Sequence, residues 1–169
     1  MAWTPTYNIL TPRAIPSNLA TYCLDATRQG EALTWAGDGT LKLVKTLQNS
    51  IAEPTKPVYP AISFSSDDDA EEFGDEIIEG AYVCTFEFWI QHAAAGTAVT
   101  NARVYDKAFR SMIANCPTAT LITGTGATTA KLLGLETSFE VIKTNEMRND
   151  FLQVFQIRCS YVLFAGLNA

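Results

Sequence analysis

A single histidine, His92, serves the whole chain, and its four cysteines, Cys23, Cys84, Cys116 and Cys159, never come as a C-x-x-C pair. That scarcity argues against a zinc site and against a disulfide framework, both of which need clustered ligands or regularly spaced partners. No apolar run approaches the ~20 residues that span a bilayer, and no charged segment followed by an apolar one opens the chain, so no membrane partner is expected. Basic residues are also short, 12 Lys and Arg against 18 Asp and Glu for a formal charge of -6. A chain of that sign is not held to nucleic acid or to an anionic surface by general attraction. No repeat or low-complexity segment occurs. What remains is a chain of 169 residues, 47% hydrophobic and 11% aromatic, long enough to bury a core of its own.

The stretch from residue 58 to 91 organises the rest. An extended apolar segment, residues 58 to 64, is followed by an acidic run and then by an aromatic strand, residues 81 to 91. In that strand Tyr82, Cys84, Phe86, Phe88 and Ile90 alternate with Thr85, Glu87 and Gln91, the period of two of a half-buried strand. The acidic run holds Asp67, Asp68, Asp69, Glu71, Glu72, Asp75, Glu76 and Glu79 with no base among them, and is expected to form a solvated connector or a charged surface facing a partner. Its Asp67-x-Asp69-x-Glu71 spacing begins like a calcium loop, but Glu72 stands where the sharp turn needs glycine.

Ahead of it, Pro5, Pro12 and Pro16 predict an extended arm over residues 1 to 16, and Trp3 and Tyr7 predict that the arm straps its own domain or a neighbour's. The remaining residues, 17 to 169, read as one domain. Ser17 is placed to cap a helix of about residues 17 to 29 carrying Leu19, Tyr22, Cys23 and Ala26, with Gly30 ending or weakening it and Gly37-Asp38-Gly39 as a firm stop. Residues 41 to 51 predict a strand in a hairpin with residues 58 to 64, and Pro60 marks an edge or a strand beginning. Beyond the aromatic strand, Thr97 or Thr100 caps a second helix whose buried stripe is Ala102, Tyr105, Ala108, Phe109, Met112 and Ile113. Residues 123 to 129 match neither phosphate-loop template, since Ala130 precedes Lys131 and Leu132 follows it, and predict a turn. A fourth strand sets Leu135, Phe139 and Val141 against Glu136, Ser138 and Glu140. A fifth, residues 151 to 164, sets Phe155, Ile157, Cys159, Tyr161 and Leu163 against Gln156, Arg158 and Ser160, with a turn at residues 145 to 150 between them.

The fold class this predicts is α+β, a mainly antiparallel sheet of four to five strands with two helices on one face. No nucleophile-elbow motif accompanies His92, and crowded carboxylates in water make a poor tuned acid and base, so no catalytic residue and no cofactor are assigned.

In the order of its elements the chain resembles the tail terminator, or tail-completion and neck, proteins of tailed bacteriophages. The resemblance rests on Tyr-Pro-Ala-Ile-Ser-Phe at 59 to 64, the acidic connector, the aromatic strand at 82 to 91, the helix at 104 to 113 and the final strand at 151 to 164, and covers roughly residues 17 to 165. It implies a hexameric ring in the virion that caps the tail tube and joins it to the head connector or stopper protein, with DNA passing through the channel without specific binding. The polar face carrying Thr85, Glu87, Gln91, Glu136, Glu140 and Arg158 suits a channel lining. Another ring of the same neck is the near alternative. A small enzyme or ligand-binding domain using the acidic run or His92 is the alternative of a different class.

Overall fold

The computed structural model describes residues 10 to 12, 14 to 44, 46 to 49, 59 to 73, 77 to 145 and 150 to 166, with side chains left aside at 66 to 73, 77 to 81 and a few strand ends. Most of the proline-rich arm therefore lies outside the described residues. Its last part does not stay extended: α1 spans Ala14–Cys23 and takes in Pro16, because the first turn of a helix has N–H groups with no intrahelical acceptor and loses nothing to a proline there. Residues 14 to 16 are thus helical and not extended, and Ser17 lies inside the helix rather than at its cap. Ile15, Leu19, Ala20 and Cys23 face the core.

The single helix expected over residues 17 to 29 is two. The chain breaks at Leu24, and Asp25 caps α2 (Ala26–Ala36) by accepting from the Arg28 N–H at 2.8 Å. Arg28 closes the corner, its guanidinium 3.8 Å from the Tyr22 ring centre and donating to the Tyr22 carbonyl at 2.6 Å. Gly30 lies within α2, and the stop falls at Gly37, whose φ of 129° allows its N–H to return to the Leu33 carbonyl.

β1 is only Thr46–Asn49, and it runs parallel to β2 (Ala61–Phe73), so the expected hairpin is not formed. Tyr59 and Pro60, joined by a cis peptide, lead into β2, which places Pro60 just before a strand, where its missing N–H leaves no gap in the ladder. β3 (Ile77–His92) pairs antiparallel with β2 over nearly its full length and with β6 (Asp150–Gly166) on its other side. β4 (Thr129–Phe139) lies outside β6, and β5 (Lys143–Asn145) continues along the same side of β6. Among the described residues the order is β1-β2-β3-β6-β4, five strands side by side with the short β5 as a sixth. Gln153 bridges the break between β4 and β5, its amide donating to the Glu140 carbonyl at 2.6 Å.

Helices cover one face, which is the α+β arrangement expected, with four helical segments among the described residues in place of two. α3 (Ala95–Ala114) buries Ala102, Tyr105, Ala108, Phe109, Met112 and Ile113, the stripe read from the sequence. It begins before Thr97 and Thr100, with Ala94 at the cap position, so neither threonine caps it; Thr100 bonds back to the Gly96 carbonyl instead. α4 (Thr118–Leu121) is a single turn tied to α1 by Asn18, which donates to the carbonyls of Leu121 and Thr123. The buried faces of β3 and β6 hold the residues their alternation predicts, and Cys84 stands opposite Cys159 in the register. At the centre Phe88 stacks on Phe155 at 4.6 Å and meets Phe109 edge-on at 4.8 Å. Val141, expected in the fourth strand, lies past its end and is 85% exposed.

Candidate functional site: an acidic strand pair and a polar sheet face

The acidic run is not the loop its composition suggests. Asp67, Asp68, Asp69, Glu71 and Glu72 lie on β2 and Glu79 on β3, while Asp75 and Glu76 fall outside the described residues. Aspartate and glutamate disfavour strands when alone. Here the apolar alternation of β3 extends the pairing, and the backbone of β2 follows it. The register sets Asp67 opposite Val83, Asp68 opposite Tyr82, Glu71 opposite Gly80 and Glu72 opposite Glu79, with an irregularity between Asp68 and Glu71. Like charges directly opposite each other destabilise a strand pair unless a cation answers them.

β1 accompanies β2 only from Ala61 to Phe64. From Ser65 onward, among the described residues, no strand pairs with the outer side of β2. The carboxylates therefore occupy an open sheet edge.

The sheet face turned away from the helices is built from cross-strand rows. One row is Ser63, Glu87, Gln156 and Ser138, and the next is Ser65, Thr85, Arg158 and Glu136. Gln156 donates to the Glu87 carboxylate at 2.6 Å across the first row. Thr85, Glu87, Glu136 and Arg158 thus share the polar face read from the sequence. Gln91 donates to the Asp150 carboxylate at the strand ends, and Glu140 lies past β4, paired with Lys143 at 2.9 Å.

At the end of β3 near its C-terminus a cleft of about 380 Å³ opens between Lys42, Tyr59, Gln91, His92, Asn101 and Tyr105. The His92 Nδ1 accepts from the Ala94 N–H at 3.0 Å, which leaves the proton of the neutral ring on Nε2. The Tyr105 hydroxyl donates to the Lys42 carbonyl at 2.5 Å, and burial, helped by the charge of Asp38, holds its pKa above the ordinary tyrosine value. The ring therefore serves the start of α3 through one nitrogen.

Among the described residues no group of three or more His, Cys, Asp or Glu is placed to hold a metal ion, and the four cysteines are free thiols. Residues 123 to 129 form a turn with Gly124 at φ 73° and Gly126 at φ 75°, and they lead into strand β4; a phosphate loop leads into a helix. No helix among the described residues is long and apolar enough to cross a membrane.

The first half of β4 was hidden by its own irregularity. The register shifts between Leu132 and Gly134, so the alternation breaks there, and Leu132-Leu133-Gly134 does not read as strand. A glycine inside an apolar segment is the signal that could have found it, since it often marks a bulge. The chain matches no family model and no curated protein.

Proposed function

We propose that the chain is a structural protein of a tailed-phage neck, a subunit of a ring resembling the tail terminators, and that it works by assembly without catalysis. The observation that carries this reading is the two-sided sheet. One face is closed by helices, and the other carries the rows of Ser63, Glu87, Gln156 and Ser138 and of Ser65, Thr85, Arg158 and Glu136, with Ser63 buried and Ser138, Arg158 and Glu136 exposed, bordered by the acidic edge of β2. A mixed polar face beside a negative edge has no net attraction for phosphates, which is what the wall of a DNA channel requires. The occupants this ring meets are the tail tube below and the connector or stopper above.

In this reading the carboxylates of β2 either meet a basic patch on the next ring or line the rim. Replacing Asp67, Asp68, Asp69, Glu71 and Glu72 by Ser and Asn leaves the fold intact and impairs capping of the tube or passage of DNA. The measurement is electron microscopy of tubes assembled with the variant, beside circular dichroism of the free chain. Tubes capped normally and particles of full infectivity overturn the role of the acidic edge. A wild-type chain that stays off tube and connector alike overturns the ring itself.

A further inference from the structure

The sheet ends in two edges of opposite character. The open part of β2 carries five carboxylates, Asp67, Asp68, Asp69, Glu71 and Glu72, and like charges along an edge discourage the addition of another copy. β4 has no such guard. Among the described residues it is the outermost strand of the order β1-β2-β3-β6-β4, it contains no proline, and Leu133 at its middle is 58% exposed. Lys131 and Glu136 flank that leucine, both exposed, and neither forms an ion pair among the described residues.

We infer that β4 is a self-complementary edge through which two copies of this chain pair antiparallel about a twofold axis between Leu133 and Gly134. The irregularity at Leu133 is what makes the match possible. In the register with β6, Lys131 stands opposite Val162 and Glu136 opposite Arg158, so both belong to the sheet face away from the helices. Leu132, opposite Tyr161, and Leu135, opposite Cys159, belong to the helix-covered face. In a regular strand positions five apart fall on opposite faces; the extra residue brings Lys131 and Glu136 onto one.

Directly opposed residues of an antiparallel pair share a face, so a register centred between Leu133 and Gly134 is allowed and its neighbours one residue away are not. In that register Lys131 faces the partner subunit's Glu136, and Leu132 faces the partner subunit's Leu135. Each pair occurs twice by symmetry. Leu133 meets the partner subunit's Gly134, which has no side chain to obstruct it. The β4 strands thereby join two sheets into one, with β1 and the acidic part of β2 at each far side. This pairing concerns the free chain and stands apart from the ring proposed above.

Sedimentation velocity of the full chain over a concentration series tests it. The wild type forms a reversible dimer, Lys131→Glu weakens association about tenfold by setting like charges opposite each other twice, and Glu136→Lys does the same. The double exchange, Lys131→Glu with Glu136→Lys, restores the wild-type constant. Circular dichroism and melting of each variant separate a change in association from the cost, within one chain, of setting a lysine opposite Arg158. A wild type that is monomeric throughout, an assembly indifferent to either single exchange, or a double exchange no tighter than the singles overturns the inference.

Discussion

Gln29 shows how one residue can stand in for secondary structure. It is fully buried in α2, and its side-chain amide accepts from the Val44 N–H and donates to the Val44 carbonyl, each at 2.9 Å. Val44 belongs to the irregular residues 42 to 44, which pair with no strand among the described residues, and Gln29 answers its buried backbone polar groups. Gln29→Met keeps the length of the side chain and removes both contacts. The expected loss is about 2–4 kcal/mol, from two orphaned backbone groups. It is read as a lower urea midpoint at unchanged slope; a midpoint within error of wild type contradicts the role. Nothing in the sequence marks this glutamine, since its partner lies 15 positions away and is chosen by packing.

At the scale of elements, β3 is the piece on which the others are assembled. It pairs with β2 on one side and β6 on the other, and its Phe88 touches both Phe155 of β6 and Phe109 of α3. Phe88→Ala opens a cavity where three elements meet and costs about 3–5 kcal/mol. Thermal unfolding followed by near-ultraviolet circular dichroism checks this, and a shift of only a degree or two contradicts it. The aromatic alternation of β3 and the stripe of α3 were legible because each repeats a simple period over many residues. The corner between α1 and α2 was not, because Pro16 reads as a breaker until its place in the first turn is known, and Asp25 looks like any exposed aspartate until a helix starts behind it. The parallel setting of β1 was likewise invisible, since strand direction is set by where the chain returns.

For the molecule as a whole, pH acts through buried neutral groups that share one sign. Burial, with Cys116 nearby, pushes the Cys23 thiol from 9.0 up to about 12, and Arg28 opposes it. Burial also raises Tyr105, Tyr161 and Cys116. A group whose folded pKa exceeds its unfolded one contributes its full stability below the unfolded value, and that contribution is lost as pH rises through the folded value. For Cys23 the window runs from 9.0 to about 12. Urea midpoints therefore fall across that alkaline range, and they fall less steeply in Cys23→Ala, whatever its starting stability. Parallel curves for the two proteins would contradict the assignment.

The sequence by itself determined the class of fold, the two faces of β3 and β6, the buried stripe of α3 and the turn at residues 123 to 129. These follow from local periodicity and from glycine's freedom at positive φ, which act within a few residues of chain. The tertiary structure alone decided what the carboxylates of residues 67 to 72 are attached to. Their composition favours a solvated loop, yet pairing with β3 makes Asp67, Asp68, Asp69, Glu71 and Glu72 an edge strand, because a ladder of backbone hydrogen bonds to a well-buried neighbour outweighs a propensity of about 1 kcal/mol at most per residue. It also decided that β4 lies at the opposite edge, with Lys131 and Glu136 brought to one face by a single irregular residue. Which strands end a sheet depends on how distant segments pair, and no window of sequence contains that choice.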